Sequence, residues 1–175
     1  MRCWTSDVLG LTVIQPAIQE DYRGSFVETF SRKTSDELGM DVSFVRDAIS
    51  TSSRHILRGL HYDDKTWKLI QCLAGRIYFV VVDMRPGAET HLRWEAFILS
   101  EFNRLQVLVP PLYGNGHLVL SDSCIFHYKM SEYYDPSTEK TLKWDDAEVG
   151  VHWPIEDPIL SARDRTGCRA EAARS

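Results

Sequence analysis

Ile77-Tyr78-Phe79-Val80-Val81-Val82-Asp83 is apolar on both of its alternating faces. Successive side chains of an extended chain point to opposite sides, so a strand of this composition must be covered on both. Its bounding turn signals, Gly75-Arg76 and Pro86-Gly87, leave it short for a helix, and it is rich in β-branched and aromatic residues. It reads as a central strand.

Similar short apolar runs recur on either side: Phe44-Val45, Ile56 to Leu60, Leu69 to Leu73, Trp94 to Leu99, Leu105 to Val109, Leu118 to Leu120 and Ile125 to Met130. Turn signals separate them at Pro110-Pro111, Gly114 to Gly116 and Ser121-Asp122-Ser123. Many short strands with little helix describe an all-β sandwich or closed barrel, and a jelly roll is the expected form. Val8 to Gln15, stopped by Pro16, is the predicted first strand, at an edge. Ser31 to Leu38 is the one clear helix, with Thr34 and Glu37 as a capping box and Gly39 as its stop. The aromatic loops after Met130, including Tyr133-Tyr134 and Trp153, are expected to cover the barrel mouth. The tail from Arg165 lacks periodicity and is expected to fray.

The 175 residues, 43% of them hydrophobic, fit one domain spanning residues 1–175 with a sizeable core. A net charge of −5 without a basic block argues against a nucleic-acid binder. Cys3, Cys72, Cys124 and Cys168 form no C-x-x-C pair, and no apolar stretch reaches the ~18 residues of a membrane span. The expectation is a soluble cytoplasmic protein with reduced thiols and no membrane partner.

Chemistry concentrates in Leu57-Arg58-Gly59-Leu60-His61-Tyr62 and the Lys68 that follows. Strict alternation would put Arg58 and His61 on opposite faces, so they converge only if the strand bends, and Gly59 is free to supply the bend. An isolated strand histidine is more often a hydrogen-bonded or surface residue than a base, and both readings stand at this point. Glu28 lies between Phe26 and Phe30 on one face. It is either a ligand contact or a carboxylate rescued by a nearby arginine. Asp83 is expected to meet Lys68 across neighbouring strands.

Six ordered motifs carry more: Arg58-Gly59-Leu60-His61-Tyr62, Val81-Val82-Asp83-Met84-Arg85, Val119-Leu120-Ser121-Asp122, Tyr128-Lys129 with Tyr133-Tyr134-x-Pro136, Trp144-x-Asp146, and Pro158-Ile159-Leu160-Ser161-x-x-Asp164. From about Asp21 to Asp164 the chain resembles the dTDP-4-dehydrorhamnose 3,5-epimerase family. The resemblance implies a metal-independent cupin jelly-roll barrel with short peripheral helices, without cofactor, and a homodimer that exchanges amino-terminal strands. It implies a nucleotide-diphospho-sugar substrate, a 4-keto-6-deoxy sugar carried on dTDP or GDP. His61 then matches the general base, Asp164 its dyad partner, Tyr128 the acid and Lys68 the cation near the 4-keto oxygen. Arg23 and Arg58 match diphosphate contacts. Phe26, Glu28 and Tyr134 match nucleotide or sugar contacts.

The chain also departs from the family. Where the family carries Gly-Phe-Ala-His-Gly-Phe, this sequence has Leu112-Tyr113-Gly114-Asn115-Gly116-His117, so Asn115 takes the histidine's place in the substrate site and cannot carry a proton at neutral pH. The shorter loop between His61 and Lys68, and Ala48-Ile49 after Asp47, are similar to a branch acting on GDP-linked 4-keto-6-deoxy-heptoses. Inversion at C3 alone is a further expectation. Three other readings compete: a metal-dependent cupin, which needs clustered ligands that His61, His117 and His127 do not supply; a non-catalytic sugar-nucleotide-binding jelly roll; and a 3,4-ketoisomerase of the same cupin group.

Overall fold

The computed structural model describes residues 1–170 and is almost entirely β. In chain order the strands are β1 (Arg2–Thr5), β2 (Thr12–Gln15), β3 (Ile18–Asp21), β4 (Gly24–Val27), β5 (Arg46–Ser53), β6 (Leu57–Tyr62) and β7 (Lys68–Ala74). They continue as β8 (Arg76–Asp83), β9 (Trp94–Ser100), β10 (Gln106–Val109), β11 (Tyr113–Val119), β12 (Ser123–Met130) and β13 (Lys140–Thr141). Two short helices, α1 (Arg32–Glu37) and α2 (Ala162–Arg165), lie at the periphery.

Two antiparallel sheets form the expected jelly roll. One runs β1-β2-β10-β7-β12-β5 and the other β13-β6-β11-β8-β9, while β3 and β4 make a separate hairpin. The double-sided strand is explained by where β8 sits. Ile77, Phe79 and Val81 point between the sheets, into a core shared with Leu99, Val107, Val119 and Phe126. Val80 and Val82 point the other way, and Leu142, Val149, Val151 and Trp153 cover them.

That second layer corrects one expectation. The aromatic loop segments after β13 cover the outer apolar face of the five-stranded sheet and not the barrel mouth. Trp153 meets Tyr78 edge to face at 5.9 Å and donates its indole N–H to the Trp144 carbonyl. An apolar sheet face left in water costs about 25 cal/mol for each Å² exposed, so the need for a cover outweighs any lid role.

Four other expectations change. The first strand is shorter than Val8 to Gln15, because the chain turns through Gly10 at φ +68°. β2 is interior, between β1 and β10, and β1 is the edge. Thr34 and Glu37 both lie inside α1, whose N-cap is Ser31, so no capping box forms there; Gly39 follows at φ +69°, as expected for a helix stop. Asp83 is fully buried and is held by Arg85 and Thr90, not by Lys68. The tail does not fray immediately after Arg165. Cys168 exchanges backbone hydrogen bonds with Thr141 and Lys143, and Ala170 is buried with its N–H on Asp146 Oδ2. The remaining tail, residues 171–175, lies outside those described.

Candidate active site

A cavity of about 310 Å³ opens between the two sheets. From the six-stranded sheet come Lys68 and Ile70 on β7 and Phe126 and Tyr128 on β12; from the five-stranded sheet come Arg58 and His61 on β6 and Asn115 and His117 on β11. Ser50 on β5 and Gly116 on β11, with Glu139, Ser161, Arg163 and Asp164, complete the wall. Six of the ten residues singled out from the sequence therefore share one cavity: Arg58, His61, Lys68, Asn115, Tyr128 and Asp164.

The local backbone explains why Arg58 and His61 converge. On β11, Asn115 pairs with His61 and His117 pairs with Arg58, so two residue steps on β11 oppose three on β6. This is a β-bulge, and its extra residue turns the Arg58 side chain onto the His61 face. Gly59 carries the bulge at φ +128°, and a Cβ there would lie 2.5 Å from the Gly116 Cα and 2.8 Å from the Asn115 carbonyl oxygen. Gly116 is equally constrained, since its Cβ would meet the Arg58 carbonyl oxygen at 2.7 Å. Two facing glycines let the strands approach closely enough to aim both side chains into the cavity.

His61 Nε2 lies 2.7 Å from Asp164 Oδ1. Asp164 is itself fixed by α2: Ser161 caps the helix by accepting from the Asp164 backbone N–H at 3.1 Å, and its hydroxyl donates to Asp164 Oδ2 at 2.7 Å. Burial works to raise the Asp164 pKa, but the hydrogen bonds from His61 and Ser161 outweigh it and hold the carboxyl below its ordinary range. An ionised Asp164 assigns the imidazole proton to Nε2 and leaves Nδ1 as the basic atom.

Lys68 and Tyr128 stand on the opposite sheet. Tyr128 pairs with Ile70 and Met130 with Lys68 across β12 and β7, so Lys68, Ile70 and Tyr128 share one face. Burial draws the Lys68 ammonium pKa down, and the Asp63 and Glu139 carboxylates oppose that without cancelling it. Its nearest carboxylate oxygen, Asp63 Oδ2, is 3.9 Å away. Arg58 donates through Nε to Ser52 Oγ at 2.9 Å and remains largely exposed. The base candidate and the acid candidate therefore reach the cavity from opposing walls.

The other four residues lie elsewhere in this chain. Arg23 and Phe26 sit on the β3–β4 hairpin, where Arg23 pairs with Asp21 at 2.6 Å and Phe26 is 65% exposed. Glu28, just past the hairpin, is exposed as well. Tyr134 is also outside, half-exposed, with the Arg46 guanidinium 5.2 Å from its ring centroid. Asn115 is in the cavity wall, but its Nδ2 is occupied by the His61 and Tyr113 carbonyls at 3.0 and 3.3 Å.

Sequence reasoning missed Ser161, Glu139 and Arg163. Ser161-x-x-Asp164 does have the spacing of a helix cap, a signal for Ser161; the Glu139–Arg163 pair, 2.7 Å apart, joins residues too distant in sequence to announce themselves. Among the described residues no group of three or more His, Cys, Asp or Glu side chains is arranged to hold a metal ion, and no helix is long and apolar enough to cross a membrane.

Comparison with known proteins gives a consistent result. The family model described as dTDP-4-dehydrorhamnose 3,5-epimerase matches residues 5–171. The dTDP-4-dehydrorhamnose 3,5-epimerase of Methanothermobacter thermautotrophicus is 39% identical over 161 residues, covering 89% of this chain and 87% of that protein. The dTDP-4-dehydrorhamnose 3-epimerase of Streptomyces niveus is 30% identical over 178 residues, covering 99% of this chain and 86% of that protein. The crystal structure of the Legionella pneumophila dTDP-6-deoxy-D-glucose-3,5-epimerase in complex with dTDP-4-keto-L-rhamnose superimposes with a TM-score of 0.93 at 34% identity, covering 97% of this chain and 93% of that one.

Proposed function

The chain belongs to the dTDP-4-dehydrorhamnose 3,5-epimerase family and is an epimerase, and from this premise we propose what its cavity acts on and how. The substrate is a dTDP-linked 4-keto-6-deoxy sugar of deoxysugar biosynthesis. Support for dTDP over GDP comes from the relatives described above, whose names carry dTDP. The reaction is inversion at C3 and C5, or at C3 alone as the name of the Streptomyces niveus relative indicates for that protein.

One observation carries the mechanism: a histidine oriented by a buried carboxylate on one wall faces a tyrosine and a buried lysine on the other. A ketone at C4 acidifies the hydrogens at C3 and C5. His61 Nδ1 takes one of them, and Asp164 stabilises the imidazolium formed. The enolate oxygen is held by the Lys68 ammonium, whose side chain is mostly buried, so that its charge acts strongly. Tyr128 returns a proton to the opposite face of the ring, completing inversion. Arg58 holds the diphosphate.

The remaining substrate contacts come from a second subunit. Arg23, Phe26 and Glu28 lie on or beside a hairpin that does not line its own cavity, while Tyr22 and Phe26 on that hairpin are 97% and 65% exposed. Such apolar exposure marks an interaction surface, and an exchanged dimer would bring these residues to the partner's site. The four unpaired cysteines fit a cytoplasmic setting.

The test is product analysis by NMR after incubation with dTDP- and GDP-linked 4-keto-6-deoxy sugars. Inverted C3, with or without C5, in the dTDP series alone is the expected result. Inversion in the GDP series alone would overturn the choice of nucleotide, and a ketone moved to C3 would make the protein a ketoisomerase.

A further inference from the structure

His117 has no part in the mechanism above. It lines the cavity on β11, is only 2% exposed, and stacks face to face on Phe126 with ring centroids 4.1 Å apart. Its Nε2 is buried without a hydrogen-bond partner. A buried polar nitrogen without a partner is costly, and native structures rarely leave one so. Its ring packs on the Phe126 ring, and Ile70 lines the same cavity.

We infer that His117 is a specificity-determining contact, its Nε2 reserved for a hydroxyl of the sugar. The inference rests on the epimerase reading and deepens it. A hydroxyl is the chemistry that fits, because it both donates and accepts and so pairs with a neutral imidazole in either tautomer. A methyl or methylene at the same point would leave the nitrogen unpaired. The sugar is thereby read by a nitrogen that no side chain of the protein satisfies, on a ring packed against Phe126, an arrangement that discriminates well against a deoxy analogue. Burial, reinforced by the nearby Arg58 and His61, pushes the His117 pKa down to about 3, which keeps this imidazole neutral while His61 cycles its proton.

The experiment compares the unmodified protein with His117→Phe and His117→Gln, measuring the affinity of a dTDP-4-keto-6-deoxy sugar and of dTDP alone together with deuterium exchange into the sugar. His117→Phe keeps a flat ring against Phe126 and removes the nitrogen. The expected result is an affinity for the sugar nucleotide about tenfold weaker, equal to about 1.4 kcal/mol, with affinity for dTDP unchanged and partial recovery in His117→Gln. In the unmodified protein, the ¹⁵N resonance of His117 Nε2 should move on adding the sugar nucleotide and stay in place with dTDP, a readout that survives if the variants fail to fold. Unchanged sugar-nucleotide affinity in His117→Phe, or an Nε2 resonance indifferent to both ligands, would overturn this inference while leaving the epimerase reading intact. Absence of exchange by the unmodified protein would overturn the epimerase reading first, and this inference with it.

Discussion

Asp164 controls the chemistry without touching the substrate in the proposed mechanism, because it fixes which nitrogen of His61 is basic. Asp164→Asn keeps the shape and removes the charge, so kcat should fall by about 10²–10⁴ with KM little changed, as steady-state kinetics will show. Tyr128→Phe separates the two proton transfers: deuterium should still enter the sugar, while formation of inverted product drops. A third residue-scale prediction concerns acid stability. The folded-state pKa of His117, about 3, lies below its unfolded value of 6.5. Between those values the unfolded chain binds more protons, so the stabilisation is complete above pH 6.5 and is lost as pH falls toward 3. Within that window the slope is about 1.4 kcal/mol per pH unit. Urea titrations at stepped pH should show this slope, and His117→Phe should flatten it. Asp164 adds to the same loss only at the acid end, below its ordinary carboxylate value of 3.8.

The elements that matter most are the β6 bulge and the α2 cap. Gly59→Ala forces a Cβ to within 2.5 Å of backbone at a φ of +128°. It should cost about 1–3 kcal/mol and separate Arg58 from His61, so urea titration should show lower stability and kinetics lower turnover. Ser161→Ala removes a helix cap, a loss of about 1 kcal/mol; it also frees Asp164 Oδ2, and the test is whether kcat falls further than stability alone explains. This scale also shows what the sequence disclosed. The strands were legible because apolar runs and turn residues alternate on a short range, and the bend at Gly59 could be anticipated because Arg58 and His61 could not otherwise meet. Partners distant in sequence were legible only through the family resemblance, as with His61 and Asp164, or not at all, as with Glu139 and Arg163. Tertiary demands overrode local signals elsewhere. The outer face of β8 took the aromatic loop segments expected at the mouth, and Arg85 took the Asp83 carboxylate expected to meet Lys68.

At the scale of the whole molecule, two sheets bring the proposed base and the proposed acid to opposite walls of one cavity, while the β3–β4 hairpin carries Arg23 and Phe26 away from it. The proposed exchange of hairpins between two subunits predicts complementation. Arg23→Ala and His61→Ala should each be impaired alone, yet refolded together they should recover about one quarter of full activity, because half of the dimers are mixed and each mixed dimer has one intact site. Failure to complement, with mixed dimers present, would place the hairpin in its own chain's service. The proposed role of His61 in moving the proton can be tested apart from the assembly. The most direct measurement incubates the protein and His61→Ala in D₂O with a dTDP-4-keto-6-deoxy sugar and follows C3 and C5 by NMR. Deuterium is expected at C3, and at C5 if both centres are inverted, with none above background in the variant. Deuterium entering at the normal rate without His61 would contradict it.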